Sequence, residues 1–159
     1  MAIKDKRRFD ERVPVNSEPC WFTSAIITAA DAGVDLILKS FKALDGTYIV
    51  LAAGVEVLEA FDGAASLVIG SGTMATDAAG TVTPVDADLF LISADITEAT
   101  VGYYPQAGSQ FYTDLGTGKQ ALLKGADATV PVVYGALTAT NPTVGKARLH
   151  LLLSKVPVA

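Results

Sequence analysis

The chain has one cysteine, one histidine and one tryptophan in 159 residues. The lone thiol, Cys20, excludes an internal disulfide and a cysteine-built metal cluster. Its neighbours Pro19, Trp21 and Phe22 mark it as a small hydrophobe rather than a thiolate nucleophile, and the count fits a reducing cytoplasm. Any Ser-His-Asp or Cys-His site would have to use His150. That residue sits among leucines, two positions after Arg148, and a positive neighbour suits neither a metal ligand nor a base. No apolar run reaches the roughly 18 residues of a spanning helix. The opening MAIKDKRRFDERVP is charged and lacks the apolar segment of a secretory signal. No stretch carries a convincing amphipathic helical period either.

Charge is scarce and unevenly placed. Residues 1–13 carry Lys4, Lys6, Arg7, Arg8 and Arg12 against Asp5, Asp10 and Glu11, a local charge of +2, and the rest carries −7, for a total of −5. An acidic body argues against nucleic acid as a partner. The basic head reads equally as a contact for something acidic and as a solvated terminus.

What the chain has in quantity is short apolar runs. Half its residues are apolar and mean hydropathy is +0.39, so a protein without a membrane segment must build a thick core or bury surface against partners. Residues 1–19, with Pro14 and Pro19, read as an extended arm. Residues 20–159 read as one domain. Strand candidates are Ser24–Thr28, Val34–Lys39, Thr47–Leu51, Gly54–Phe61, Ala64–Ile69, Thr100–Tyr104, Phe111–Thr113, Gln120–Lys124, Val130–Thr138 and Lys146–Val156. Ala87–Ser93 suits a strand or one short helix. In the last strand Leu149, Leu151 and Leu153 alternate with Arg148, His150, Leu152 and Ser154. About ten short strands with uneven turn spacing predict an all-β protein, an antiparallel two-sheet sandwich of jelly-roll type with an extended N-terminal arm.

Asp62-Gly63 between two apolar runs is a strong hairpin signal. As a two-residue turn it pairs Leu58 with Leu67 and puts Leu58, Ala60, Ala65, Leu67 and Ile69 on a core face, with Glu56 at its far end. Val55, Val57, Glu59, Phe61, Ser66 and Val68 then share the outer face. Val57, Phe61 and Val68 around one glutamate are too apolar for open solvent, so this face is expected to meet another segment or subunit.

Motifs for chemistry fail their context. Gly70-Ser71-Gly72-Thr73-Met74-Ala75 fits a dinucleotide fingerprint, but no helix pattern follows. Gly116-Thr117-Gly118-Lys119 lacks the first glycine and the Ser/Thr of a phosphate loop. Asp86, Asp88 and Asp95 lack the glycine and full acidic alternation of a calcium loop. No catalytic, cofactor or metal residues are assigned, and the chain is expected not to be an enzyme. Tyr103-Tyr104 and Phe111-Tyr112 flank a polar turn and offer a start for a carbohydrate-binding reading, with Tyr103 and Tyr112 as its contacts.

Two blocks resemble the small head decoration, or cement, proteins of tailed bacteriophages. One is Leu51–Gly63 with Ser66–Gly70; the other is Val132–Thr138 with Pro142–Leu151. The likeness covers roughly residues 30–156 and is one of pattern and small-residue style. It implies a jelly-roll domain on the outer capsid surface that stabilises the shell by bridging subunits of the major capsid protein, as a homo-oligomer (dimer or trimer) with no nucleic-acid or membrane partner. It further implies assembly in the host cytoplasm. The contacts then expected are the arm residues Lys4, Lys6, Arg7, Arg8 and Arg12 and the face residues Val57, Phe61 and Val68. The alternative is a carbohydrate-binding jelly roll for host attachment.

Overall fold

A computed structural model describes residues 3–6, 19–41, 47–75, 81–105, 113–114, 122–124 and 130–155. Twelve strands are described: β1 (Ile3–Asp5), β2 (Cys20–Thr23), β3 (Ile27–Thr28), β4 (Asp35–Ser40), β5 (Thr47–Glu59), β6 (Ser66–Met74), β7 (Val82–Leu91), β8 (Gly102–Tyr104), β9 (Thr113–Asp114), β10 (Leu122–Lys124), β11 (Val130–Thr138) and β12 (Lys146–Lys155). Short 3-10 turns at Ala29–Asp31 and Ser93–Asp95 are the only helical residues described. Of Ala87–Ser93, residues up to Leu91 are the end of β7 and Ser93 opens the second 3-10 turn, while the stretch after Ser71 is strand to Met74.

The strands form two packed sheets. The first runs β1-β4-β11-β6-β7; the second is β10-β5-β12-β2, with β3 beside β12 and β8 and β9 beside β5. Counting β2/β3 as one strand and β8–β10 as another leaves eight from β2 to β12. They pair first with last, second with seventh, third with sixth and fourth with fifth. That is one long antiparallel ribbon, folded between β6 and β7 and rolled up: a jelly roll. Outside β6–β7, every connection in this ribbon crosses from one sheet to the other.

The expected Asp62-Gly63 hairpin is therefore wrong. β5 pairs with β12 and with β8–β10, while β6 pairs with β11 and β7. Residues 60–65 form an arch between sheets. Positive φ falls on Gly63 (72°) and Ala64 (50°), one position later than an Asp-Gly turn requires. Without hairpin pairing, the parity carried from β6 back to β5 has no basis. Val57 and Phe61 point inward, at 1% and 4% exposure, whereas Leu58 is exposed on the outer surface. Val68 does face outward, opposite Ala136 on the first sheet, and is half-buried.

The core lies between the sheets. Leu36, Leu38, Leu67, Ile69, Val133 and Leu137 from the first meet Phe22, Ile27, Val55, Val57, Leu149, Leu151 and Leu153 from the second. The alternation expected of β12 holds, and each of its fully buried leucines contributes about 1.5–3 kcal/mol. A bulge in the β4–β11 pairing at Val133/Tyr134 interrupts the alternation of β4. It leaves Lys39 fully buried, its Nζ 4.9 Å from the Phe22 ring centre and 5.4 Å from that of Phe41. Burial pushes the Lys39 pKa down to about 7.

The outer face of the first sheet is closed by a second apolar cluster of Ile37, Met74, Val82, Val130, Val132 and Tyr134, with Ile3, Ala87 and Ala136 packed against it. β7 bulges twice against β6, and its Asp86–Ala87 backbone passes over Gly70 where a side chain would otherwise sit. A bulged edge carrying Pro84 is a poor template for pairing with another chain.

Four arches meet at one end of the sandwich: residues 29–34, 60–65, 92–101 and 139–145. The Asp62 carboxylate accepts from the Thr143 N–H (2.7 Å), the Thr143 hydroxyl (2.7 Å) and the Val144 N–H (3.2 Å). Those bonds hold it below the usual carboxylate range. Thr140 N–H donates to Gly63 O at 2.6 Å, Phe61 N–H to Glu98 O at 2.9 Å, and Ala29 N–H to Gly145 O at 3.1 Å. Glu98 Oε1 accepts the Leu67 N–H at 2.6 Å. Gly145, at φ 139°, lies flat against the Phe61 ring, which a Cβ there would overlap. Gly145→Ala is expected to lower unfolding free energy by about 2–4 kcal/mol, combining overpacking with backbone strain. Gly33→Ala, at φ 77° with open space around it, supplies the control: strain alone, about 1–2 kcal/mol by urea denaturation.

Candidate functional site

Because β5 turns its even-numbered residues outward at this end, the outer face of the second sheet carries a cross-strand row, Arg148–Glu56–Tyr103. Ile26 continues that row, one residue before the Ile27–Ala147 pair. The next row holds Lys146, Glu59 and Leu58, with Val101 just beyond the Val57–Gly102 pair. On the other side lies His150, opposite Thr23.

Glu56 is the hub of this face. It is 8% exposed. Its Oε2 accepts from Arg148 Nε at 2.5 Å and lies 3.0 Å from His150 Nε2, and the Tyr103 hydroxyl also donates to it. Burial pushes the Glu56 carboxyl up, but the bonds from Arg148, His150 and Tyr103 outweigh it and hold the pKa below the ordinary value. In the neutral imidazole Nε2–H donates to Glu56, and Nδ1, 3.0 Å from Thr23 Oγ1, accepts the hydroxyl proton. A carboxylate so engaged is a poor general base and a good structural anion. Lys146 Nζ neutralises Glu59 at 2.8 Å. Around these pairs Ile26, Leu58, Val101 and Tyr103 are 37–60% exposed. Exposed apolar and aromatic groups around charges that already cancel are the composition of a protein-binding face. An open cleft of about 340 Å³ adjoins it, lined by Thr28, Ala29, Ala30, Glu59, Thr143, Val144, Gly145 and Lys146.

The residues expected from sequence to make contacts are scattered. Arg7, Arg8 and Arg12 lie outside the described residues, as does Tyr112. Val57 and Phe61 are core. Lys4 and Lys6 are both paired within the chain: their Nζ atoms lie 2.9 and 2.8 Å from the carboxylate of Asp31, which is 1% exposed. Within the expected 1–19 arm, residues 3–5 form a strand parallel to β4, in the register Ile3–Asp35, Lys4–Leu36 and Asp5–Ile37. Tyr103, from the carbohydrate reading, is half exposed on the Glu56 face, while Tyr104 is buried.

Glu56 and Leu58 escaped the sequence reading because the hairpin parity put them in the core. The available signal was β12 itself, whose outward Arg148 and His150 favour an acidic partner on a neighbouring strand. Cys20 is half-buried, and burial pushes its thiol pKa up, in keeping with an unreactive side chain. Among the described residues no three of His, Cys, Asp and Glu are placed to hold a metal ion, and no helix is long and apolar enough to cross a membrane.

No family model, curated protein or solved structure matches this chain.

Asp31 gives the region a pH signature. Burial pushes its pKa up, but hydrogen bonds from Lys6, the Thr28 backbone and Lys4 overcome this and hold it below the ordinary 3.8. The stability it contributes is complete above that ordinary value and is lost as pH falls through the lowered folded value. Asp31→Asn is expected to cost about 2–4 kcal/mol at pH 7, under the full cost of breaking a buried pair because Lys4 is partly solvated, and to flatten the acid limb of a urea stability–pH profile.

Proposed function

We propose that this chain is a non-enzymatic structural protein of a tailed-phage virion. In this reading it docks on the outer capsid surface through the outer face of the second sheet, bridging subunits of the major capsid protein. The observation that carries the reading is the group Ile26, Leu58, Val101 and Tyr103, exposed around the internally neutralised Glu56–Arg148–His150 and Glu59–Lys146 sets. Covering that face buries apolar area without stranding a charge. The resemblance in Leu51–Gly70 and Val132–Leu151 supports the capsid as its target. Many copies on a symmetric shell gain avidity, so each needs only a modest face. Arg7, Arg8 and Arg12 stay assigned to acidic capsid surface; Lys4 and Lys6 are withdrawn because Asp31 uses them.

The test is cosedimentation with particles assembled from the major capsid protein encoded with this chain. Leu58→Asp and Tyr103→Asp should each weaken binding about 30-fold, the size of a 2 kcal/mol hot spot, while circular dichroism is unchanged. Val85→Asp, on the β7 edge, should bind normally. Normal binding by both face variants, or no binding by the unaltered protein, overturns the reading.

Carbohydrate binding is the second reading, favoured by one observation: Trp21 and Tyr103 are 45% and 50% exposed on strands of the same sheet. It expects specific signals on a glycan array that Tyr103→Ala abolishes. An array without specific signals removes it.

A further inference from the structure

We propose that β1 is an exchangeable strand, so that residues 3–6 of one copy fill the β4 edge of a second copy. The β4 edge is built to be filled. Asp31 is buried at its end, and its charge is met by two cations that both come from β1 and the residue after it. Removing that segment would strand a buried carboxylate, which is among the costlier changes a fold can suffer.

What fills the edge is less constrained than that it be filled. Lys4 Nζ donates to Ala30 O at 2.6 Å and Lys6 Nζ to Ile26 O at 2.9 Å; Lys6 N–H donates to Ile37 O at 2.8 Å, and Ala25 N–H to Lys6 O at 3.3 Å. With the Asp31 pairs and the parallel ladder, every bond described for Lys4 and Lys6 ends on residues 25–37. A second copy's residues 3–6 would find the same receptor. The occupant is thus specified by identity of sequence, and the whole set of contacts transfers intact.

Chain length allows both closures. Lys6 is bonded to Ala25, and Pro19 is six residues back along the chain from there, so an extended chain puts it within about 20 Å of that contact. The thirteen steps from Lys6 to Pro19 reach about 43 Å when extended. The connection therefore has about twice the length its own closure needs. A connection of this length gives an effective concentration in the millimolar range, so self-closure prevails in dilute solution and exchange prevails where copies are crowded. Exchange would link copies without any new interface.

The test uses register partners Ile3 and Asp35 in a Cys20→Ser background. One protein carries Ile3→Cys alone and another Asp35→Cys alone; neither can close on itself. They are mixed after co-refolding at micromolar and near-millimolar concentration, oxidised and run on a non-reducing gel. The expected result is a heterodimer absent at micromolar and a major species near millimolar, at least tenfold above the collision control that pairs Ile3→Cys with Val85→Cys. A single chain carrying both Ile3→Cys and Asp35→Cys should close internally in dilute solution. Internal closure of that chain with no heterodimer at any concentration overturns the exchange. Failure of both crosslinks overturns the β1–β4 pairing and the exchange with it.

Discussion

A rolled ribbon must cross between its sheets at almost every connection, and each crossing leaves backbone groups with no ladder to join. At the end where four arches meet, Asp62 meets this demand. Its carboxylate takes up the Thr143 and Val144 N–H groups of the 139–145 arch, while Gly63 O takes up that of Thr140. Glu98 does the same for the third arch, accepting at both its backbone and its side chain. These bonds tie the arches together at that end of the core, and Phe61 packs against Gly145 between them. Everything displayed nearby, including Leu58, Val101 and the Glu56 network, inherits its position from them.

The inventory of strands was legible in the chain, and the partners were not. Val130–Thr138 stands where its apolar run predicts, and β12 alternates as written because one face is core and the other carries Arg148 and His150. Both sheets and the jelly-roll class followed from such runs. Asp62-Gly63 misled because a hairpin and an arch ask the same thing of their residues: a tight reversal, a short polar side chain and positive φ. They differ only in what lies across from each strand. The strand opposite β5 is β12, some ninety residues later, and no local pattern carries that distance. One mistaken pairing then inverted a whole strand, turning core valines into surface and hiding Glu56.

Electrostatics followed the same division. The basic character of the N-terminus is plain in composition, but its use depends on Asp31, which sequence alone leaves in an unremarked turn between two apolar runs. Once Asp31 is buried beside β4, two of the five cations have a structural duty. A surface charge count therefore overstates what the head has to offer a partner. The reverse holds for the second sheet, where mixed charges in the sequence cancel in pairs and leave an apolar character that composition does not reveal.

The position of β12 also governs the order of events during synthesis. This strand, ending at Lys155, lies in the interior of the second sheet, with β2 and β3 on one side and β5 on the other. Until it has left the ribosome, neither flank has its partner, and the leucine row that closes the core is missing. The sandwich is therefore completed only after β12 emerges, through contacts distant in sequence and slow to find. For that interval the apolar faces of β4, β5 and β6 stand uncovered. The chain therefore meets its greatest aggregation hazard before β12 has joined the sheet.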